Sequence, residues 1–315
     1  MADDVLIYSL SEHRELIFEC LDVVAPKRVV EIGSEAGGMS REMVRWAEEH
    51  DARFLTIEPY PIDEIRELDR GSDAFELVEA RSPEALERLE PADVYLVDGD
   101  HNHWTVLLEL RAIYSGGTPV TILHDVGWPC ARRDQYYSVD ALPAEAVRPH
   151  SYTQGRVPGQ DELVHGGFGG SGEFAVALEE GGAGNGVLTA VEEFVASRDD
   201  LEYAQVPAVF GLGVVYAAAA PYAERVRELL RPWDGNPLLQ RLEDNRVRLY
   251  ARVLELQDRL TRADTRSNRV LLRYAERLAD LEAENASLRL ERGRLRADLD
   301  AAEEAARASV GGSAH

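Results

Sequence analysis

KRVVEIGSEAGG, residues 27–38, is the stretch that decides the fold of this chain. It begins as a short β-branched run over 27–32 and continues as a glycine-containing turn that includes Gly33 and Gly37. Helical spacing then extends over 39–50. Glycines allow positive φ and a close approach of backbone to a ligand. The pattern predicts a strand, a tight turn and a helix N-terminus, which is where doubly wound sheets bind ligands.

The rest of the first half of the chain alternates in the same way. Strand patterns follow at residues 53–59, 75–80, 93–100 and 118–125, with helical patterns at 62–69, 83–89 and 104–114. Such alternation predicts βαβ units in a parallel sheet. Residues 201–217 predict two further strands that close the sheet in antiparallel fashion after a helix over 187–197. The predicted fold class is therefore α/β, a doubly wound Rossmann-like sheet of about seven strands, followed by a C-terminal α-helical coiled coil.

The sequence also suggests where this body is interrupted and where it ends. We expect a main domain over residues 1–220 and a linker helix over 221–237. Between 126 and 185 the chain is rich in glycine, proline and aromatic residues and has no periodicity. A stretch of that length inside a domain predicts an insertion or a lid over the site. Its glycine-rich segments predict mobility.

A different composition begins after Pro237, the last proline. Apolar residues recur there at spacings of three and four in two rows, Leu239, Leu242, Leu249, Val253, Leu256 and Leu260, then Leu271, Tyr274, Leu278, Leu281, Leu288, Leu295 and Leu299. Asn285 and Arg292 occupy core register in the second row, and the heptad slips near Ser267. The pattern predicts a coiled coil over residues 238–306, as two stretches with a weak centre, and a disordered tail over 307–315. The alternative is one amphipathic helix folded back on the body.

Charge and composition exclude several classes of protein. The chain has 34 basic and 58 acidic side chains and a formal net charge of −24, which disfavours nucleic acid as a partner. No apolar run approaches the roughly 18 residues of a membrane span, so none is expected. No signal peptide is evident at the start. The two cysteines, Cys20 and Cys130, cannot form a disulfide framework, so we expect a reducing compartment and a cytoplasmic location.

Glu58 adds a second ligand signal to the glycine turn. It lies at the end of the second predicted strand, 25 residues beyond Gly33, where an acid accepts hydrogen bonds from ribose hydroxyls. The glycine spacing is not the full dinucleotide fingerprint, so the pair predicts another nucleoside-containing ligand. The alternative is a turn that serves only packing, with Glu58 as a surface residue.

Acids and histidines follow the fourth and fifth predicted strands. Asp98, Asp100 and His101 come after the fourth, and His124 and Asp125 close the fifth. Because neighbouring parallel strands end at the same crevice, these side chains could converge on a divalent cation. His101 is the best candidate for a general base, since its ordinary pKa is near neutrality. The alternative is that Asp98 caps a turn and His124 is a satisfied core histidine.

Taken together, EIGSEAGG, IEP and DVYLVDGDH resemble the motifs of class I S-adenosylmethionine-dependent methyltransferases. VDGDHNHWTVLLELRAI followed by ILHDV is similar to bacterial metal-dependent sugar O-methyltransferases of the macrolide-tailoring and glycan type. The resemblance implies S-adenosylmethionine bound by Glu31, Gly33, Ser34, Gly37, Glu58 and Asp98. It implies a divalent metal, Mg²⁺ or Mn²⁺, on Asp98, His124 and Asp125, with His101 as base. Those enzymes often have a carboxylate where this chain has His124, which would also admit Fe²⁺ or Zn²⁺.

The expected function is therefore methyl transfer from S-adenosylmethionine to a hydroxyl of a sugar-containing metabolite or glycan. The coiled coil would join a second copy or a partner protein. The alternatives are a non-catalytic cofactor-binding scaffold and a metal-dependent hydroxylase-like or hydrolytic enzyme.

In the predicted lid, Trp128 and one tyrosine, Tyr136 or Tyr137, could stack on a sugar, and Arg132 and Arg133 could bind an anionic group. His165 is expected not to reach the site, and His103 is expected on a helix surface.

Overall fold

The computed structural model describes residues 6–311, with side chains as far as residue 304. Its main sheet has seven strands: β1 (Arg28–Ile32), β2 (Arg53–Ile57), β3 (Phe75–Val78), β4 (Val94–Val97), β5 (Val120–His124), β6 (Leu201–Val206) and β7 (Leu212–Ala217). Their order is β3-β2-β1-β4-β5-β7-β6. The first five strands are parallel, and β7 and β6 complete the sheet in antiparallel fashion. The doubly wound sheet predicted from the sequence is confirmed.

Helices cover both faces of the sheet. They are α1 (Arg14–Val24), α2 (Gly38–His50), α3 (Asp63–Gly71), α4 (Ser82–Leu86), α5 (His103–Ile113), α6 (Val187–Ala196), α7 (Ala223–Leu230) and α8 (Pro237–Gly311). One apolar core contains residues of α1, α2, α3 and α7, such as Ile17 and Met43. A second contains residues of α4, α5 and α6, such as Leu110 and Val191. Burial on both faces explains why the parallel strands read as continuous apolar runs.

The strand register aligns the ends that follow the central strands. Ile32 of β1 pairs with Val97 of β4, and Val97 pairs with Leu123 of β5. The residues that come next along the chain therefore emerge at one edge of the sheet. This edge carries the site described below.

Residues 126–185 have more secondary structure than their composition indicates. Short strands at Gln135–Tyr136, His150–Ser151 and Ala175–Ala177 form a three-stranded sheet, and Gly155–Val157 pairs with Gln160–Val164. A Cβ on Gly155 would lie 2.2 Å from the carbonyl oxygen of Gly167. These glycines therefore serve close backbone packing, whereas composition alone predicted mobility.

The C-terminal helix α8 is continuous across Ser267, where the sequence predicted a weak centre. The chain divides into two compact units at Leu256 and Gln257. Glu243 accepts hydrogen bonds from the backbone nitrogens of Val209 and Phe210, and Val247 packs with Phe210 in a small apolar cluster. The first turns of α8 thus belong to the body, beyond the predicted boundary at residue 238.

Two other predicted boundaries also fall differently. Residues 221–237 form α7 and a following turn, and not one linker helix. The helix α8 is described as far as Gly311, within the predicted tail, and residues 312–315 lie outside the described part of the chain. Among the helices of residues 6–311, none has both the length and the apolar character that crossing a membrane requires.

Candidate active site

The loop after β1 approaches the end of β4 very closely. Gly33 has φ +86°, and a Cβ there would lie 2.3 Å from the carbonyl oxygen of Asp98. Its backbone nitrogen donates to the carbonyl oxygen of Ile57 at 3.0 Å. Ser34 donates its backbone nitrogen to Glu58 Oε2 at 3.1 Å. The loop, the β4 end and the acid after β2 are therefore in direct contact.

Glu31 links β1 to α2 and β2. Its carboxylate is buried and accepts hydrogen bonds from Ser40 Oγ at 2.5 Å and Thr56 Oγ1 at 2.7 Å. Burial raises the pKa of Glu31 to about 7, against the opposing effect of these two hydroxyls. Gly37, at φ +71°, is the N-cap of α2 and donates to the carbonyl oxygen of Ser34 at 2.6 Å.

A cavity of about 350 Å³ lies over the ends of β1, β2 and β4. Three of the predicted cofactor residues line it, Gly33, Glu58 and Asp98. The other three, Glu31, Ser34 and Gly37, do not line the cavity and instead hold the loop beside it. The remaining wall includes Ser82, Trp104 and Leu108 of the body and Tyr137, Leu142 and Pro143 of the 126–185 segment. Its size and mixed lining suit a nucleoside-containing ligand.

Two histidines and two aspartates converge at the edge of this cavity. His101 Nε2 lies 3.1 Å from Asp125 Oδ2 and 3.5 Å from Asp98 Oδ1. His124 Nδ1 lies 3.1 Å from Asp98 Oδ1 and 3.3 Å from Asp125 Oδ2. The four residues that follow β4 and close β5 in the sequence are thus brought together.

The backbone at the end of β5 explains how two adjacent residues reach the same cluster. Successive side chains of a strand point to opposite faces. Asp125, however, has φ +59°, in the left-handed region that non-glycine residues rarely adopt. This turn of the chain directs its carboxylate toward the same side as the His124 ring. Strain of this kind is often found at functional sites.

His124 has a defined orientation. Its Nε2 lies 2.9 Å from the carbonyl oxygen of Val209, and a carbonyl can only accept, so Nε2 carries a proton. A neutral His124 therefore presents the lone pair of Nδ1 to Asp98 and Asp125. Metal-binding histidines are oriented in this way by a carbonyl on the second ring nitrogen.

Electrostatics in the cluster oppose burial. Burial disfavours the charged imidazole of His124, but Asp98 and then Asp125 outweigh it and raise its pKa well above the ordinary value. For His101, burial is again opposed, chiefly by Asp125, and the pKa is raised. Burial would raise the pKa of Asp98, but the two histidines, His124 first, lower it. Negative charge is thus concentrated at the cluster, and the imidazoles compensate for it.

The donor set fits a divalent cation. Asp98, His101 and Asp125 each offer one ligand atom, and these atoms lie within 4.8 Å of one another. Among the described residues, the buried Nε2 of His101 makes no hydrogen bond of good geometry, although it lies 3.1 Å from Asp125 Oδ2. His124 is buried, as the core-histidine alternative expects, but its Nδ1 faces two carboxylates. Carboxylate oxygens with imidazole nitrogens suit Mn²⁺, Fe²⁺ or Zn²⁺ as well as Mg²⁺.

Of the aromatic residues predicted to stack on an acceptor, one reaches the cavity. Tyr137 lines it, with its ring centroid 5.6 Å from that of His101. Tyr136 is buried and donates its hydroxyl to Asp134. Trp128 packs against Phe168 and other rings of a separate cluster.

The two arginines proposed for anion binding have other partners. Arg132 forms a paired salt bridge with Glu192. Arg133 is buried and donates to the carbonyl oxygens of Ala177 and Leu178. Neither lines the cavity, so the interpretation of both as acceptor-binding residues is not supported.

His165 and His103 also lie outside the cavity. His165 Nδ1 contacts the carbonyl oxygen of Thr153 at 3.2 Å. His103 is buried, with its Nε2 2.9 Å from Glu193 Oε2. The prediction of His103 as a helix-surface residue is therefore wrong, because α6 covers that side of α5.

Sequence reasoning missed a buried acid beneath the cavity. Glu109 of α5 is fully buried, and one of its oxygens accepts a hydrogen bond from Ser82 Oγ. Its other oxygen has no partner among the described residues. Burial raises the pKa of Glu109 to about 8. The sequence does contain a signal of this buried acid, because Glu109 lies within the largely apolar stretch VLLELRAI.

The 126–185 segment contacts His101 from behind. Gln135 Nε2 lies 3.5 Å from His101 Nδ1, and Gln135 Oε1 accepts a hydrogen bond from the buried Arg156. Because a guanidinium only donates, it orients the amide so that nitrogen faces His101. Glu35, in the loop after β1, also lines the cavity, and burial followed by Asp98 raises its pKa. No sequence pattern pointed to Gln135, Arg156 or Glu35.

Comparison with known families agrees with this geometry. Residues 30–125, which contain β1 to β5 and the cluster, match a family described as a methyltransferase domain. No curated protein sequence matches the chain. Residues 30–125 are thus similar to a methyltransferase domain, and the sheet that contains them has a Rossmann-like strand order.

Several solved structures are similar to this chain. An S-adenosylhomocysteine-bound methyltransferase from Podospora anserina, PaMTH1, is 17% identical, with a TM-score of 0.42, over 67% of this chain and 80% of that chain. A candidate O-methyltransferase from Klebsiella pneumoniae is 18% identical, with a TM-score of 0.39, over 69% of this chain and 83% of that chain.

Proposed function

We propose that this protein transfers a methyl group from S-adenosylmethionine to a hydroxyl of a sugar-containing metabolite or glycan, with a divalent metal and His101 as general base. The observation that carries the proposal is the convergence of Asp98, His101, His124 and Asp125 beside the cavity lined by Gly33 and Glu58. No described feature favours the scaffold or the hydrolytic alternative.

The cavity residues divide the binding task. Glu58 can accept hydrogen bonds from ribose hydroxyls, and Gly33 leaves room for a ligand beside the end of β4. Trp104 offers an aromatic face for the base. Bound S-adenosylmethionine would supply an electrophilic methyl group to the acceptor hydroxyl. The segment around Tyr137 and Pro143 would exclude water from the cavity.

A general base must begin unprotonated, and Asp98 and Asp125 favour the protonated form of His101. A divalent cation held by Asp98, His124 and Asp125 would neutralise these carboxylates and lower the pKa of the acceptor hydroxyl. His101 would then lose the stabilisation of its charge and could accept the hydroxyl proton. The base and the metal site are thus interdependent in this proposal.

The test is radiolabelled methyl transfer against a panel of nucleotide sugars and glycans. We expect His101→Ala to lower the rate by about 10²–10⁴-fold, the usual contribution of a general base.

Asp125→Asn should remove most activity while S-adenosylmethionine affinity, measured by calorimetry, stays close to wild type. Glu58→Gln should instead weaken the binding of S-adenosylmethionine before it affects the rate of methyl transfer. Asp199→Asn, an exposed acid far along the chain, is the matched control.

Two outcomes would contradict the parts of the proposal separately. Full activity in excess EDTA would overturn the metal role. An unchanged rate in His101→Ala would overturn the base assignment and leave methyl transfer itself in place.

We also propose that residues beyond 256 serve assembly with a second copy or a partner protein. This helical segment has exposed leucines and nearly balanced charge, whereas the acidic excess of the chain lies before residue 238. A cytoplasmic location is proposed on the chemistry of Cys20 and Cys130, which are free and buried.

A further inference from the structure

The second unit of the chain carries an apolar seam on α8, interrupted at two positions by polar residues. Its seam residues are Leu271, Tyr274, Leu278, Leu281, Leu288, Leu295 and Leu299, and each is 40–70% exposed. Their spacing assigns heptad positions: Leu271, Leu278, Asn285, Arg292 and Leu299 occupy a, and Tyr274, Leu281, Leu288 and Leu295 occupy d. A row of large apolar residues left in water on one helix requires a covering partner.

We infer that residues 271–303 pair with a second copy of this chain as a parallel, in-register, two-stranded coiled coil. This inference deepens the proposed assembly and does not depend on methyl transfer.

Charges beside the seam favour this partner and this direction. In a parallel pair, each g residue faces the e residue five positions later on the other helix. Arg277 then faces Glu282 of the second copy, and Glu284 faces Arg289. Each of these contacts occurs twice by symmetry, and both join opposite charges.

The contacts toward the end of the seam show the same rule with one exception. Glu291 at g faces Arg296 at e, again an opposite pair. Asp298 faces Glu303, a like-charged pair near the end of the segment. Three of the four g–e contacts in the parallel register are therefore attractive.

The antiparallel alternative sets g residues against g residues. With full overlap, Arg277 faces Asp298 and Glu284 faces Glu291, so half of these contacts are repulsive, against one in four in the parallel register. The same sequence is thus complementary to itself in the parallel direction.

The polar seam residues set the number of strands. An asparagine at a single a position favours dimers and one register, because it is satisfied by its equivalent on the other helix. In the single chain Asn285 Nδ2 donates to the carbonyl oxygen of Leu281. Arg292 at another a position can extend its long side chain to water at the edge of a two-stranded seam, which a three-stranded core would prevent.

Cysteine cross-linking of the full-length chain tests direction and register together. In the inferred pair, residue 278 faces 278 and residue 285 faces 285, so Leu278→Cys and Asn285→Cys should each form an interchain disulfide under mild oxidation. Ser287→Cys, two residues away and off the seam, is the control and should not. An antiparallel pair could bring at most one of the two seam positions together. Native Cys20 and Cys130 are buried and should not interfere.

Charge reversal provides a second readout. Glu284→Arg should weaken dimerisation about tenfold by sedimentation, because it replaces two attractive contacts by repulsive ones. Adding Arg289→Glu should restore the affinity. A mass of two chains, both seam cross-links and this rescue would support the inference. A monomer, a trimer, cross-linking at only one seam position or no rescue would overturn it, and activity of any of these species would leave the catalytic proposal untouched.

Discussion

Among single residues, Glu109 shows how the fold can hold an acid in its neutral form. Burial raises its pKa to about 8 from an ordinary value of 4.5. Between these pH values the folded chain keeps a proton that the unfolded chain has released. The contribution of Glu109 to the free energy of unfolding should therefore fall as pH rises through this window, by at most about 1.4 kcal/mol per pH unit. Glu31, whose pKa is raised to about 7, adds a loss of the same sign, so Glu109→Gln should reduce the fall in stability between pH 5 and pH 8, measured by urea unfolding, and not abolish it.

The matched control for this prediction is Glu87→Gln, an exposed acid at the C-terminal end of α4. It should keep the wild-type dependence of stability on pH. Equal pH dependence in wild type and Glu109→Gln would show that the Glu109 carboxyl is not held neutral by the fold.

Single residues also show what sequence could predict of the site. Asp98, His101, His124 and Asp125 could be predicted because they follow parallel strands, whose ends meet at one edge. Tyr137 could be named only as one of three aromatic residues. Gln135 could not be named at all, because its contact with His101 depends on long-range pairing within the 126–185 segment.

At the level of elements, the β1–α2 loop depends on Gly33 more than on any other glycine of the turn. Alanine there would adopt φ +86° and also overlap the carbonyl oxygen of Asp98. We expect Gly33→Ala to cost about 1–2 kcal/mol for the left-handed backbone and about 1–3 kcal/mol more for overpacking. Thermal unfolding measures the sum.

Gly159→Ala isolates the first of these costs. Gly159 has φ +78°, and a Cβ there would meet nothing within 4 Å. Gly159→Ala should therefore lose only the stability that the left-handed backbone costs. If both variants lost the same stability, close approach to β4 would not be the reason for Gly33.

Element prediction succeeded where buried apolar strands alternate with helical patterns. All seven strands of the main sheet were predicted within a few residues, since buried β-branched runs between helical patterns admit few other structures. The strands of the 126–185 segment have two to five residues. Such strands have no readable period, and their partners are distant in sequence, so composition suggested a loop.

For the whole molecule, the limit of the body is set by contacts that composition does not reveal. The last proline and the change in charge placed the boundary at residue 238. The contacts of Glu243 and Val247 instead include the first turns of α8 in the body. A change of composition marks where helix-forming sequence begins, and not where packing against the core ends.

Truncation distinguishes the two boundaries. A chain ending at residue 236 should be less stable than one ending at residue 260, by about 2–4 kcal/mol, because it loses the Glu243 hydrogen bonds and the burial of Val247. The longer form should unfold at nearly the wild-type temperature of the body. Equal melting temperatures by calorimetry would place the boundary at residue 238 after all.

The loop that Glu243 holds has a consequence beyond stability. Its donors are Val209 and Phe210, and the carbonyl oxygen of Val209 accepts the proton of His124 Nε2. The helix α8 therefore contains Glu243, which holds the loop that accepts the His124 hydrogen bond. It also contains the seam through which two chains would associate. If association changed the first turns of this helix, it would change the affinity of the proposed site for a cation by some factor. Thermodynamic reciprocity would then require the cation to change association by the same factor.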